Sequence, residues 1–267
     1  MPNTISWPAM PGSNASSSAE YDIMASDAGL ERIVFVQPSP YGSDNSCMLD
    51  ALGAVGARGR GVAVIDDKTS DADLDHMHEA GVRGIRLNAE SYGLNDPAAI
   101  GGTLKAMARR VGRLGWHIQL FASLDTIAGL APVIRSLDVP LVIDHMGMAR
   151  AERGTDYGEF ETLLRLIESG VWIKLSAPYR VSEAGPDFPD VRQIASALIG
   201  ANANRVIWGS DWPHTGKHTG GSSDSNTVLA HRSVDDARVI RLLADWAGSR
   251  DHLHNILVHN PRSLYDF

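Results

Sequence analysis

The stretch that decides the fold is Val206-Ile207-Trp208-Gly209-Ser210-Asp211-Trp212-Pro213-His214. Its apolar beginning predicts a buried strand, and Pro213 indicates that this strand has ended, so Asp211 should lie at the strand's C-terminal end. An unpaired carboxylate in an apolar interior is costly, and in an α/β barrel the catalytic residues gather at this end of the strands. We therefore take Asp211 as the candidate general base; the alternative is that it caps the following turn.

The composition is that of an ordinary globular protein. The 267 residues are 43% hydrophobic and 21% charged, and the net charge of −8 argues against nucleic acid or an anionic membrane as a main partner. No apolar run approaches the length of a membrane span, and no signal peptide is evident. The single cysteine, Cys47, excludes an internal disulfide and suits a reducing compartment. We expect one cytoplasmic domain over residues 1–267, of which residues 1–20 are irregular.

Short β-branched runs alternate with Ala- and Leu-rich helical runs, which predicts a parallel sheet built from βαβ units. The predicted strands are Arg32–Gln37, Gly61–Asp66, Gly84–Asn88, Trp116–Phe121, Pro140–Asp144, Trp172–Ser176 and Arg205–Gly209. The predicted helices include Asp71–Glu79, Ala98–Leu114, Thr126–Ser136, Tyr157–Glu168, Pro189–Ala201, Val234–Ala247 and Asp251–Val258. A closed barrel of this type has eight strands. Because Thr4–Trp7 is a weak upstream candidate, we expect a TIM (β/α)8-type barrel that lacks its first strand.

Polar residues follow the apolar runs at the predicted C-terminal ends of the strands. The candidate site residues are Ser39, Tyr41, Arg86, Asn88, Gln119, His145, Arg180, Asp211 and His214. Because side chains alternate along a strand, Arg86 and Asn88 should share one face, and so should Lys174 and Ser176. The pattern predicts a polar site at one end of the barrel.

Arg86 and Arg180 are the cations best placed to bind an acidic ligand. An arginine at a strand end can hold a carboxylate through two parallel hydrogen bonds. The neighbouring polar side chains would suit an oxygen-rich small molecule; they are Ser39, Tyr41 and Asn88. The alternative is that either arginine pairs with a structural acid such as Asp66 or Asp144.

Histidines offer one candidate and two patterns that we reject. His145 directly follows a predicted strand, where a histidine can ligate a metal, polarise a carbonyl or be a satisfied core residue. His76-Met77-His78 and His252-Leu253-His254 both spell H-x-H, but each lies in a predicted helix. Residues two apart on a helix do not face each other, so neither pattern forms a ligand pair.

Four motifs resemble, in order and spacing, those of the amidohydrolase superfamily. They are Phe35-Val36-Gln37-Pro38-Ser39, Gly81-Val82-Arg83-Gly84-Ile85-Arg86-Leu87-Asn88, Val142-Ile143-Asp144-His145-Met146-Gly147 and Trp208-Gly209-Ser210-Asp211-Trp212-Pro213-His214. The terminal Asn260-Pro261-Arg262-Ser263-Leu264-Tyr265 is also typical of that superfamily. The resemblance covers roughly Tyr21 to Phe267. It is to the branch that contains 2-pyrone-4,6-dicarboxylate lactonase and D-galactarolactone isomerase.

The resemblance implies a (β/α)8 barrel that acts on lactones of sugar acids or of aromatic breakdown products. It implies that Asp211 activates water or removes a proton, that His145 helps to polarise the lactone carbonyl, and that Arg86 and Arg180 hold substrate carboxylates. Members most similar in motif work without a divalent metal, and Gln119 stands where a bridging metal ligand often lies. We therefore expect no cofactor. The supporting substrate contacts would come from Ser39, Tyr41, Asn88, Gln119 and His214.

One departure separates this chain from the pattern of the family. The family opens with an H-x-H strand, and the first matching segment here begins after that strand would have ended. Either the sequence starts too late or the protein is a natural variant without the strand. An open barrel exposes two strand edges, through which a homodimer could form by edge pairing or strand exchange.

Several functions remain open at this point. The first is metal-independent hydrolysis of a carboxylated lactone; a lactone isomerase would use similar groups, with a substrate hydroxyl in place of water. The second is a metal-dependent hydrolase or decarboxylase, in which His145, Asp211 and further ligands hold Zn²⁺ or Mn²⁺. The third is an inactive homologue that binds an acidic ligand or a partner chain.

Overall fold

The computed structural model describes residues 25–27, 29–216 and 231–267. Within these ranges, seven parallel strands form one curled sheet in which they follow one another in chain order. The strands are β1 (Ile33–Val36), β2 (Gly59–Ala63), β3 (Val82–Asn88), β4 (His117–Phe121), β5 (Leu141–Ile143), β6 (Trp172–Ser176) and β7 (Val206–Gly209). All seven predicted strands are present with small shifts of their ends, which confirms the α/β assignment.

Helices connect the strands, and most of them cover the outer face of the sheet. They are α1 (Ser46–Val55), α2 (Asp71–Glu79), α3 (Pro97–Val111), α4 (Leu124–Ile134), α5 (Gly158–Glu168), α6 (Pro178–Val181), α7 (Val191–Ala201), α8 (Asp236–Ala247), α9 (Arg250–His254) and α10 (Asn260–Tyr265). The predicted last helix is divided, because a π-helical turn over Asn255–His259 joins α9 to α10. Both H-x-H patterns lie in or beside helices, as predicted.

Local chemistry explains where the helices begin. At α2, the Ser70 side chain accepts from the main-chain N–H of Asp73, whose carboxylate accepts from the main-chain N–H of Ser70 in return. At α3, Asp96 caps the helix and Pro97 occupies its first position. Beyond the first turn, the apolar faces of these helices pack on the outer face of the sheet. Leu104 of α3, for example, is fully buried there.

The inner face of the sheet is mostly apolar at the N-terminal ends of the strands, and we call this end the floor. Val62, Val142, Trp172, Ile207 and Tyr265 form one buried cluster there. Tyr265 comes from α10, so the C-terminal helix closes the floor from below. The amide of Asn260 fixes this helix by donating to the main-chain oxygens of Ala203 at 2.8 Å and Val206 at 2.6 Å.

The sheet is open in the described part of the chain. β1 pairs with β2 and β7 pairs with β6, and no strand pairing in these ranges joins β7 to β1. The weak strand candidate Thr4–Trp7 and the irregular segment 1–20 lie outside the described residues. Across the described helices, none is long and apolar enough to cross a membrane.

Candidate active site

Asp211 lies just beyond the C-terminal end of β7, at the end of the sheet that we call the mouth. Its Oδ2 atom accepts from Tyr179 Oη at 2.7 Å and from Arg180 Nε at 3.0 Å, and Arg180 Nη2 lies 2.9 Å away. Its Oδ1 atom faces His145 Nε2 at 3.8 Å, which is longer than a hydrogen bond. The two oxygens therefore differ: one holds protein donors and the other faces the histidine.

The charge of Asp211 is stabilised by these neighbours. Burial by itself raises the pKa of the Asp211 carboxyl, but the Arg180 charge and the Tyr179 hydroxyl act against it, and that pKa lies below its ordinary value. The alternative of a simple turn cap does not account for these long-range partners. The Asp211 carboxylate is therefore ionised near neutral pH.

His145 follows β5 and is almost fully buried. Its Nδ1 atom lies 2.8 Å from Ser176 Oγ, and the ring stands edge-on to Phe121 with the centroids 4.9 Å apart. Burial lowers the pKa of His145 to about 4, against the opposing attraction of the Asp211 and Asp144 carboxylates. A neutral imidazole carries one hydrogen, so a Ser176 hydroxyl that donates to Nδ1 leaves the hydrogen on Nε2, toward Asp211.

A second, more deeply buried carboxylate contacts three polar side chains in the centre of the site. Asp144 is buried, with Lys174 Nζ 2.9 Å from Oδ1 and the Gln119 amide donating to Oδ2 at 2.9 Å. Arg86 Nε is 3.7 Å from the same Oδ2. Burial would raise the pKa of Asp144, but Lys174, His145 and Arg86 hold it well below its ordinary value. Gln119 is thereby tied to a protein partner through its amide nitrogen.

The two arginines expected to bind an anion lie over one aromatic ring. The guanidinium carbon of Arg86 is 5.7 Å from the centre of the Phe121 ring, and that of Arg180 is 5.8 Å from it. Arg86 has only long contacts, and its buried Nε has no hydrogen-bond partner among the described residues. Arg180 pairs with Asp211, an acid that was not among the alternative partners suggested by the sequence.

The turn after β1 adds polar groups beside Arg86. The Asn88 amide donates to Ser39 Oγ, and Asn88 Oδ1 accepts from the main-chain N–H of Ser91 at 2.9 Å. A cleft of about 220 Å³ lies beside them, lined by Ser39, Arg86 and Asn88 and also by Asp66, Thr103 and Arg110, but not by His145, Arg180 or Asp211. Tyr41 ends the same turn, and burial, together with the nearby Cys47, raises its pKa.

His214 occupies a different position from the one expected. We expected it to contact a ligand, but its Nε2 lies 3.0 Å from Asp236 Oδ2 and its Nδ1 lies 3.3 Å from Tyr179 Oη. Only 4% of the residue is exposed. Both ring nitrogens therefore face protein partners, because α8 brings Asp236 against the loop that follows β7.

A metal ion would need more ligands than the described side chains supply. Among them, no group of three or more His, Cys, Asp or Glu residues is arranged to hold a metal. His145 Nε2 and Asp211 Oδ1 would supply two ligands, whereas Asp144 is occupied by Lys174 and Gln119. The Zn²⁺ or Mn²⁺ alternative would thus depend on ligands from outside these ranges.

Sequence reasoning gave no role to Tyr179 or Asp236. Tyr179 directly precedes Arg180, so its position in the sequence could have suggested that its side chain also faces the site. Asp236 gave no such signal, because acids are common in the first turn of any helix.

Comparisons with known proteins identify the family of the chain. A family model described as amidohydrolase matches residues 5–267. The 2-pyrone-4,6-dicarboxylate hydrolase of Comamonas testosteroni is 30% identical over 259 residues, covering 93% of this chain and 80% of that protein. The 4-sulfomuconolactone hydrolase of Hydrogenophaga intermedia is 32% identical over 251 residues, covering 92% of this chain and 78% of that protein.

A solved structure supports the fold independently. The apo crystal structure of ATU3138 from Agrobacterium tumefaciens superposes with a TM-score of 0.79 at 24% identity, covering 100% of this chain and 92% of that one. The family match spans nearly the whole sequence, and the two curated relatives are lactone hydrolases. The motif resemblance is thereby confirmed, and the chain belongs to the amidohydrolase family.

Proposed function

We propose that the protein hydrolyses a lactone that carries at least one carboxylate or similar acidic group. The observation that carries this proposal is that Asp211 Oδ1 lies 3.8 Å from His145 Nε2, with Arg86 and Arg180 both close to the neighbouring Phe121 ring. The acidic lactones named for the two curated relatives support the same substrate class. We propose that the reaction needs no metal, with Asp211 as the general base.

The reaction divides into addition and ring opening. Water adds to the lactone carbonyl carbon while Asp211 Oδ1 takes one of its protons, and the carbonyl electron pair moves onto its oxygen. The ring C–O bond then breaks as the carbonyl re-forms, and the ring oxygen leaves with the proton that Asp211 returns. One lactone and one water thus give one hydroxy acid.

His145 stabilises the negative charge that develops on the carbonyl oxygen. Its lowered pKa keeps the imidazole neutral near pH 7, and a Ser176 hydroxyl that donates to Nδ1 would leave the remaining hydrogen on Nε2. A fixed donor at a developing oxyanion contributes roughly 3–4 kcal/mol to transition-state stabilisation. General-base help from Asp211 adds about 10²–10⁴-fold.

The arginines bind the acidic group of the substrate. Arg86 is suited to this because its Nε is not hydrogen-bonded to the described residues and its carboxylate neighbour, Asp144, is already neutralised by Lys174. Arg180 orients Asp211 and is still about one-fifth exposed toward the mouth. Further polar contacts would come from Ser39, Tyr41, Asn88 and the Gln119 oxygen.

The test is hydrolysis of 2-pyrone-4,6-dicarboxylate and 4-sulfomuconolactone by chelator-treated protein near pH 8, followed by ultraviolet absorbance. An uncharged lactone of similar ring size is the control. We expect turnover of an acidic lactone and little of the uncharged one. Turnover only after Zn²⁺ or Mn²⁺ is added, or isomerisation without release of an acid, would contradict the proposal.

A further inference from the structure

A path of hydrogen bonds leads from Asp211 to a carboxylate in the first turn of α8. Tyr179 Oη lies 2.7 Å from Asp211 Oδ2 and 3.3 Å from His214 Nδ1. His214 Nε2 in turn lies 3.0 Å from Asp236 Oδ2. Side chains from α6, the loop after β7 and α8 therefore form one continuous path behind the candidate general base.

Burial separates the far end of this path from water. His214 is 4% exposed and Asp236 is 8% exposed. The guanidinium carbon of Arg232 lies 5.1 Å from the centre of the Tyr179 ring, and the main-chain N–H of Arg232 donates to the His214 oxygen at 2.8 Å. Hydrogen bonds in such a low-dielectric setting are strong, and water does not compete for their partners.

The chemistry of the groups limits where the hydrogens can lie. Ionised Asp211 only accepts, so the Tyr179 hydroxyl hydrogen points at Asp211. Burial is the larger cause and the Asp211 carboxylate the smaller cause of a raised pKa at Tyr179, so the phenol keeps that hydrogen. The Tyr179 oxygen can then accept from Nδ1 of His214, and with a second hydrogen between Nε2 and Asp236 the His214–Asp236 pair holds two hydrogens in all.

We infer that His214 and Asp236 are positioning residues that hold the Tyr179 hydroxyl on Oδ2 of Asp211, which leaves Oδ1 as the oxygen that accepts the proton from water. The inference rests on the proposed general-base role of Asp211. Without the Nδ1 hydrogen of His214, the Tyr179 hydroxyl can turn toward that nitrogen, and Asp211 then loses its hydrogen bond from the phenol.

The test is a double-mutant cycle on the acidic lactone that the wild type hydrolyses. Tyr179→Phe should lower kcat about 10- to 100-fold with KM within about twofold, because a hydrogen bond to a charged group is lost. Asp236→Asn should lower kcat by a smaller factor. In the Tyr179→Phe background, Asp236→Asn should have no further effect, because the path is already broken at the tyrosine.

Asp235→Asn is the matched control. Asp235 is the neighbouring carboxylate at the same helix end, it is exposed, and it accepts from the main-chain N–H of Arg238. Its substitution should leave both kinetic constants unchanged. Losses that simply multiply in the double variant, or wild-type kinetics for Asp236→Asn, would overturn the inference. If Asp236→Asn does not fold, His214→Gln breaks the same path and is held to the same outcomes.

A measurement without substrate separates this inference from the proposed function. In protein labelled with ¹⁵N-histidine, nuclear magnetic resonance should show a slowly exchanging hydrogen on Nδ1 of His214. The signal should disappear or shift in Tyr179→Phe and Asp236→Asn and persist in Asp235→Asn. A wild-type Nδ1 without hydrogen overturns the inference. If this signal is present but no lactone is hydrolysed, the path exists and the proposed function fails.

Discussion

The floor and the mouth of the sheet have opposite chemistry although the same strands build both. On β6, Trp172 belongs to the apolar floor, whereas Lys174 and Ser176 on the same face reach the polar site. On β7, Ile207 lies in the floor and Asp211 follows at the mouth. One face of one strand therefore changes from apolar packing to fixed charges within four residues, so the packing of the floor holds the charged groups of the mouth in place.

The backbone differs between the two ends as well. Turns that enter strands at the floor use glycine where φ is positive, as at Gly115, where φ is 68°. At the mouth, residues with side chains adopt positive φ, including His145 at 48° and Asp211 at 64°. Such conformations cost energy for side chains other than glycine and persist where surrounding structure holds them. The mouth thus combines strain with charge, as functional sites often do.

The largest effect should come from the mouth, through Asp211→Asn. Asparagine keeps the shape but cannot take a proton from water, so kcat should fall at least about 10²- to 10⁴-fold. The free energy of unfolding should change by about 1 kcal/mol or less, since the site is partly open to solvent. Steady-state kinetics and urea unfolding check both quantities. Retained turnover would remove Asp211 from the general-base role.

Ile207→Ala is the matching change in the floor, four residues earlier. Removing this buried side chain should lower the free energy of unfolding by about 2–5 kcal/mol, through lost burial and a residual cavity. Turnover per folded molecule should remain near that of the wild type. A large loss of kcat in protein that remains folded would show that the floor also tunes the chemistry and would contradict the division into two regions.

Two histidines, one at each end, should make stability depend on pH in the same direction. Burial lowers the pKa of His145 to about 4 and, with Lys174 nearby, that of His117 to about 3. Both are neutral when folded, whereas the unfolded chain takes up protons below about pH 6.5. The free energy of unfolding should therefore fall as pH drops from about 6.5 to 4, by on the order of a few kcal/mol.

Urea unfolding at a series of pH values measures this slope. His117→Leu should flatten it, because His117 is buried, its ring packs edge-on against Tyr265, and burial is the main reason that its pKa is low. His254→Gln changes an exposed histidine and serves as the control, with the slope expected to stay as in the wild type. Equal slopes for all three proteins would show that other groups set the pH dependence.

The smallest effects should come from glycines, with opposite signs. Gly115→Ala places a side chain at a left-handed position and should destabilise the protein by about 1–2 kcal/mol, although nothing lies within 4 Å of the added carbon. Gly102 lies in an exposed turn of α3, where the added carbon also has no neighbour within 4 Å. Gly102→Ala should therefore stabilise the protein by up to about 1 kcal/mol. Thermal unfolding distinguishes them; equal signs would mean that φ does not decide the outcome.

The strand and helix order, and the end of the sheet that carries the site, could be read from the sequence. Each β-branched run predicts one strand and each helical run predicts one helix, so their order along the chain gives the order of the elements. Parallel strands bring all their C-terminal ends to one edge of the sheet. For that reason, Asp211 and His145, which are 66 positions apart in the sequence, could be assigned to one site before any contact was known.

The pairing of side chains inside the site was decided only by the tertiary structure. The sequence left Arg180 without its partner Asp211, suggested a ligand contact for His214, and gave no sign that Asp236 would matter. Strand periodicity fixes the face and the end on which a residue lies. Which donor meets which acceptor depends on the curl of the sheet and on where α6 and the first turn of α8 lie relative to its mouth, and these follow from contacts among residues far apart in the chain.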